Sequence, residues 1–161
     1  MRQKLYIALI FLFCLPLMQI KAQKKKDIKK YGIRSVIVLD TENGKTITDT
    51  KTMYDQNGQV IEEQNYNKDG VLKTTTRFKY NKSGDVIEEI ELNEKGELNA
   101  KKQYIYNALG EKTEELSYDK DNKLLKHSYY TYDSWGFKTE KRVMDANGKF
   151  ISSKKYSYSG K

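Results

Sequence analysis

Glutamate residues that recur at a fixed spacing are the first candidates for chemistry in this 161-residue sequence. They stand 26 residues apart, at Glu62, Glu88, Glu114 and Glu140. Two carboxylates that converge can act as a general acid and base or can hold Ca²⁺. In a β-sheet, however, successive members of this series would lie two strands apart, about 9 to 10 Å. The spacing therefore favours cross-strand pairing over catalysis.

Other catalytic or metal-binding groups are sparse. His127 is the only histidine, and strand alternation predicts that it is a bystander on a polar face. The sequence contains no Gly-x-Ser-x-Gly motif and no phosphate-binding loop. The segment from Asp119 to Asn122 resembles a calcium loop, but it lacks the bidentate glutamate of an EF-hand. We therefore expect no catalytic residue, no metal and no cofactor.

The glycines indicate which elements position these side chains. From Gly44 to Gly148 they are 14 and 12 residues apart in alternation, with Asn122 in the place of one glycine, so a 26-residue double unit repeats. Each closes a motif of one aromatic or apolar residue, Asp or Asn, and two variable residues, which suits a type I turn followed by a left-handed residue. The predicted turn residues are Gly58, Gly70, Gly84, Gly96, Gly110, Asn122, Gly136 and Gly148.

The sequence therefore predicts an all-β fold, an antiparallel meander of tandem hairpins in a single open sheet that is twisted or curled. In such a hairpin, the residue four before the glycine opposes the residue two after it, as with Tyr54 and Val60. Uninterrupted pairing from each tip then sets Glu88 opposite Lys102 and Glu140 opposite Lys154.

Tyrosine is the remaining feature that could support a function. Because 12 and 14 are both even, alternation predicts that the tyrosines of all repeats share one face. That predicted face comprises Tyr54, Tyr66, Phe78, Tyr80, Tyr104, Tyr106, Tyr118, Tyr130, Tyr132, Tyr156 and Tyr158. It could be a packed surface or a binding platform, because tyrosine offers rigid amphipathic area. The candidate binding residues are Tyr80, Tyr104, Tyr106, Tyr130 and Tyr132.

The N-terminus predicts a secretory signal peptide over 1–22. A basic start is followed by an apolar run of sixteen residues, from Leu5 to Ile20, which is shorter than a bilayer span. Ala22 supplies the small residue at the expected cut, so we expect cleavage between Ala22 and Gln23 and a secreted or periplasmic protein. The only cysteine, Cys14, would be removed, and the mature chain would contain no disulfide.

The charge is concentrated in a predicted basic linker over 23–34, which carries six basic residues and one acidic residue. The predicted repeat domain, 35–161, balances 21 basic against 21 acidic residues. Nucleic-acid binding needs a basic surface that neutralises phosphates, and a domain without excess charge does not favour it.

The Tyr-Asp/Asn-x-x-Gly corners resemble the YD repeats of bacterial RHS-type proteins. The resemblance is clearest at Tyr54 to Gly58, Tyr118 to Asn122 and Tyr132 to Gly136, and it covers roughly 40–160. It implies an extended sheet of β-hairpins, often in surface or secreted proteins. The 26-residue double unit is longer than the usual repeat.

Together these features predict an exported, non-catalytic binding or scaffold module of the envelope or extracellular space, with an unknown protein or polysaccharide as its partner. One alternative is a structural subunit or spacer that self-associates through the tyrosine face or the sheet edges. A glycan hydrolase is the remote alternative, because paired carboxylates are the only candidates for acid and base.

Overall fold

The computed structural model describes residues 25–160, so the predicted signal peptide and its cleavage site lie outside the described part of the chain. A short helix, α1, covers 25–30 within the predicted basic linker. Ten strands follow: β1 (Ser35–Glu42), β2 (Lys45–Tyr54), β3 (Val60–Tyr66), β4 (Leu72–Tyr80), β5 (Val86–Asn93), β6 (Leu98–Tyr106), β7 (Lys112–Tyr118), β8 (Leu124–Tyr132), β9 (Lys138–Asp145) and β10 (Phe150–Lys155). Within residues 25–160, no helix is both long enough and apolar enough to cross a membrane.

The ten strands form one open antiparallel sheet, and their spatial order is their order along the chain. The predicted all-β meander is confirmed. The eight predicted turn positions all have positive φ, including 58° at Asn122. At the tip between β8 and β9, the Asp133 carboxylate accepts hydrogen bonds from the amides of Trp135 and Phe137, both at 2.9 Å. Short polar corners therefore hold each hairpin closed.

A β-bulge lies beside each of these tips and changes the predicted register. Tyr54 pairs with Val60 as expected, but Met53 pairs with Glu62, and Ile61 is left unpaired. The bulged positions are Ile61, Lys73, Ile87, Asn99, Thr113, Leu125, Thr139 and Ile151. Since a bulge adds one residue to one strand, the side chains beyond it change face.

The two predicted glutamate–lysine pairs are wrong for this reason. Glu88 opposes Gln103, while Lys102 opposes Glu89 on the other face of the sheet. In the last hairpin, Glu140 opposes Lys155, one residue beyond the predicted partner.

The bulges also divide the tyrosines between two faces, so the prediction that all of them share one face is wrong. We call face 1 the side that carries Tyr54, Tyr80, Tyr106 and Tyr132 at one end of the strands. Face 2 carries Tyr66 and Tyr118 at the other end, together with Leu92 and Met144 at the equivalent positions. Each face therefore has its own row of tip pairs, which on face 1 includes Tyr106 with Lys112 and Tyr132 with Lys138.

The sheet is a single layer, and burial is correspondingly modest. Ile28 and Tyr130, at 6% and 7% exposed, are the buried hydrophobic side chains of the described residues. Ile28 belongs to α1 and packs on the tip at Gly58, where an added Cβ would lie 2.6 Å from the Lys25 carbonyl oxygen. Part of the segment predicted to be a basic linker is therefore docked on the sheet.

Replacing Gly58 by alanine should destabilise the protein more than replacing Gly96 by alanine. Both glycines have positive φ, 74° and 79°, so each substitution should cost about 1 to 2 kcal/mol of backbone strain. Gly96 has open space around it, whereas the Gly58 methyl group would collide with α1. Urea unfolding would measure both changes, and equal losses would contradict the docking of α1. In an Ile28→Ala background, where α1 packs less tightly on the tip, the extra loss of unfolding free energy at Gly58 relative to Gly96 should be smaller.

Candidate functional site

All five candidate tyrosines lie on face 1, but three of them act as structural anchors. Tyr80, Tyr106 and Tyr132 end β4, β6 and β8. Each hydroxyl donates a hydrogen bond to the backbone carbonyl 20 residues earlier, at Val60 (2.7 Å), Val86 (2.9 Å) and Lys112 (2.8 Å). The bonds connect hairpin tips that lie side by side at the same end of the strands.

The other two candidates, Tyr104 and Tyr130, form the centre of a charged cluster. The Tyr130 hydroxyl donates a hydrogen bond to Glu115 Oε2 at 2.9 Å. Lys112 Nζ donates to the same oxygen at 2.8 Å and lies 4.8 Å from the ring centroids of both Tyr104 and Tyr130. One carboxylate therefore organises a lysine between two aromatic rings.

The same alternation continues toward the end of the sheet. Lys138 Nζ lies 4.7 Å from the Tyr130 ring and 5.7 Å from the Tyr156 ring. We call the series Tyr104, Lys112, Tyr130, Lys138 and Tyr156 the Tyr–Lys row; its members lie on five neighbouring segments, β6 to β9 and the residue that follows β10.

Lysine side chains cover the tyrosine at the centre of this row. Lys112, Lys138 and Lys141 all place their ammonium groups within 5.3 Å of the Tyr130 ring. That ring is 7% exposed, so the surface presents ammonium groups backed by an aromatic ring rather than a bare stacking platform. These lysines are not among the predicted binding residues. The sequence does contain a signal for two of them: Lys112 and Lys138 occupy the position of the 26-residue unit that Val60 and Val86 occupy in the preceding units.

The electrostatics of the cluster follow from burial and from the proximity of charges. Burial raises the pKa of all five candidate tyrosines, and the pKa of Tyr80 reaches about 12. Burial alone would also raise the pKa of Glu115, but hydrogen bonds from Lys112 and Tyr130 lower it instead. Burial, together with the charges of Lys112 and Lys141, lowers the pKa of Lys138. Around the Tyr130 ring, three ammonium groups therefore face one carboxylate, Glu115, while Glu89 lies near Tyr104 and helps raise its pKa.

Face 2 carries the four periodic glutamates. Each contacts a basic side chain, in the pairs Glu62–Arg77 (2.8 Å), Glu88–Lys79 (2.6 Å), Glu114–His127 (2.6 Å) and Glu140–Arg142 (3.6 Å). His127, predicted to be a bystander, also bonds the Tyr129 hydroxyl through Nδ1 at 2.9 Å. Both of its ring nitrogens are therefore engaged. Within residues 25–160, no group of three or more His, Cys, Asp or Glu side chains is placed to hold a metal ion.

Comparison with known proteins gives no family. No family model matches the chain, and no curated protein matches it. The resemblance to YD repeats therefore stays a prediction.

Several solved structures resemble the chain at low sequence identity. A porin-like protein from Bacteroides uniformis ATCC 8492 matches 78% of this chain at 15% identity and a TM-score of 0.44. TarM matches 83% of the chain at 12% identity and a TM-score of 0.33. A protein of unknown function from Bacteroides fragilis NCTC 9343 matches 79% at 12% identity and a TM-score of 0.29, over 95% of its own length. The matched regions cover 50% of the porin-like protein and 25% of TarM. None of these likenesses assigns a family or an activity.

Alkaline titration should reveal the buried phenols as a late class of tyrosines. Because folding raises their pKa, their contribution to stability is present below the ordinary tyrosine pKa of about 10 and is lost as the pH rises through the folded values. Tyr130→Phe should remove one residue from the late class, measured by tyrosinate absorbance while circular dichroism monitors the fold. In guanidinium chloride all tyrosines should titrate together. An unchanged late class in Tyr130→Phe would show that this phenol is not protected.

Proposed function

We propose that this chain is an exported, non-catalytic binding or scaffold module of the bacterial envelope or extracellular space, and that it binds its partner through face 1. The observation that carries the proposal is the cluster around Tyr130, where three ammonium groups meet one carboxylate. The strands contact their neighbours in the chain, and α1 sits at the Gly58 tip. No second layer among residues 25–160 therefore covers this cluster.

The composition of the cluster favours binding over internal packing. Burying lysine and glutamate under a second layer would cost desolvation free energy that an apolar layer could not return. At an interface, by contrast, tyrosine and a few charges can supply both contact area and specificity. The bonds from Tyr106 and Tyr132 to backbone carbonyls also hold the neighbouring strands rigid, which lowers the entropy lost on binding.

Export rests on the sequence. The apolar N-terminal run, Leu5 to Ile20, is followed by the predicted cleavage site after Ala22, and the chain that would remain contains no cysteine. A charge-balanced β-repeat domain with a polar, open face suits a secreted or periplasmic module whose partner is a protein or a polysaccharide.

Replacing two tyrosines on face 1 should abolish binding, whereas replacing two tyrosines on face 2 should not. The bulges provide the control, because Tyr66 and Tyr118 lie on the opposite face from Tyr104 and Tyr130. We expect Tyr104→Ser with Tyr130→Ser to lose binding to a glycan array or to immobilised envelope proteins, while Tyr66→Ser with Tyr118→Ser retains it. Circular dichroism should show β-sheet in both variants. Equal binding by the two variants would contradict the assignment to face 1.

Self-assembly through the sheet edges is the second candidate, and the outer strands favour it. β1 exposes a run of apolar side chains, with Ile37 at 55% and Leu39 at 61%. β10 exposes Phe150 at 55% and Ile151 at 48%. Since β1 and β10 run in opposite directions in the meander, β10 of one copy could continue the antiparallel sheet beside β1 of another.

Charges placed on the β1 edge should prevent this association. We expect Ile37→Lys with Leu39→Lys to remain monomeric in a concentration series followed by sedimentation velocity, because lysine on an edge strand opposes strand addition. Leu109→Lys with Trp135→Lys adds the same charge at hairpin tips, where the side chains are 83% and 84% exposed, and should behave like the parent. A parent protein that stays monomeric throughout would exclude edge-to-edge assembly.

A further inference from the structure

We infer that the Tyr–Lys row binds a linear acidic polysaccharide that carries a carboxylate or sulfate at regular intervals and lies across strands β6 to β10. The inference rests on the proposed binding role of face 1 and names its ligand class. The row supplies the two elements such a polymer requires: ammonium groups for its charges, and the partly exposed rings of Tyr104 and Tyr156 for its sugars.

Charge is distributed unevenly along face 1. On β7 to β10 this face carries five lysines and two carboxylates, namely Lys112, Lys126, Lys138, Lys141, Lys154, Glu115 and Asp145. On β3 to β5 the same face carries Glu63, Glu89 and Glu91 and no basic residue. A domain with balanced total charge therefore has one basic half-face, which favours an anionic partner at that half.

Two of the three lysines around the Tyr130 ring lack an ion-pair partner within residues 25–160. Lys112 forms an ion pair with Glu115, whereas Lys138 and Lys141 form none within residues 25–160. Burial lowers the pKa of Lys138, and the nearby positive charges of Lys112 and Lys141 lower it further. An anion placed between Lys138 and Lys141 would relieve this repulsion.

The spacing of the row suits a polymer with separated charges. Lys112 and Lys138 lie two strands apart, about 9 to 10 Å, as do Tyr104 and Tyr130. The row is therefore a repeating array, and an extended chain of sugars can present one acidic group to each lysine in turn. The surface is a flat sheet rather than a deep cavity, which suits a polymer better than a small molecule. Nucleic acid carries closely spaced phosphates, and the two carboxylates among the five lysines would repel such a dense negative charge.

Calorimetric titration of the purified protein with hyaluronan and with chondroitin sulfate tests the inference. Hyaluronan carries one carboxylate per disaccharide, and the same polymer with esterified carboxylates provides a neutral counterpart. We expect the protein to bind both acidic polymers and not the esterified polymer. The affinity for the acidic polymers should fall as salt is raised from 50 to 200 mM, by the amount expected when a few ion contacts are screened.

Substitutions should locate the site. Lys138→Gln with Lys141→Gln should weaken binding about tenfold, since two surface ion contacts are lost. Lys123→Gln with Lys149→Gln changes the net charge equally at exposed hairpin tips and should bind like the parent. Lys138 and Lys141 contact the Tyr130 ring on the neighbouring strand, so Lys138→Gln with Lys141→Gln should lower the melting temperature slightly, while circular dichroism should show β-sheet in both variants.

The outcomes separate this inference from the proposed function. Equal binding to hyaluronan and to its ester, lost in Tyr104→Ser with Tyr130→Ser, would overturn the acidic ligand but retain face 1 as a binding surface. Equal weakening by the two lysine pairs would overturn the site and indicate non-specific attraction. Absence of binding to both acidic polymers, or tighter binding to single-stranded DNA or to phosphatidylserine vesicles, would overturn the ligand class.

Discussion

A single unpaired residue beside each hairpin tip is the constraint on which the rest of this structure depends. Beyond the tip pair, one residue of the second strand has no partner, and the side chains that follow it change face. Because successive tips lie at opposite ends of the strands, one row of tip pairs forms on face 1 and another on face 2. Each face of a one-layer sheet is thereby stabilised at one end. The same bulge places Glu115 beside Tyr104 and Tyr130. Without it, Glu115 would lie on the opposite face from these two tyrosines.

Long side chains on the sheet surface supply the stabilising contacts that a second layer supplies in other β proteins. Tyrosines reach across neighbouring strands to backbone carbonyls, and lysine stems lie over the Tyr130 ring. Each contact joins a hairpin to its neighbour, so stability is built from local repeats rather than from one central core. The consequence for function is that stabilising side chains are also surface side chains. A ligand on face 1 would touch the groups that hold the sheet together.

The meander and the tip pairs could be predicted from the sequence because glycine and Asp or Asn have strong turn preferences. The bulge could not, because its positions, such as Ile61, Lys73 and Thr113, share no residue type. Two bulges lie between residues that are 26 apart, and the second restores the face that the first changes. The prediction that Tyr80, Tyr106 and Tyr132 share one face is therefore correct. Tyr66 and Tyr118 are separated from them by one bulge and were misplaced. The position of lysine over a ring depends on rotamers, which alternation does not encode.

The repeat separates the structural task of a position from the chemistry it presents. At Val60, Val86, Lys112 and Lys138, the backbone carbonyl accepts the hydrogen bond from the tyrosine 20 residues later, whatever the side chain is. The side chain is therefore free to differ between repeats. Val60 and Val86 line a groove with Ile28 of α1, where an apolar side chain is suitable. Lys112 and Lys138 do not line that groove, and their ammonium groups lie over tyrosine rings on the uncovered part of face 1. The fold thus tolerates a basic half-face without loss of its hydrogen-bonded framework, which makes that half-face the part of the molecule most able to specialise in binding.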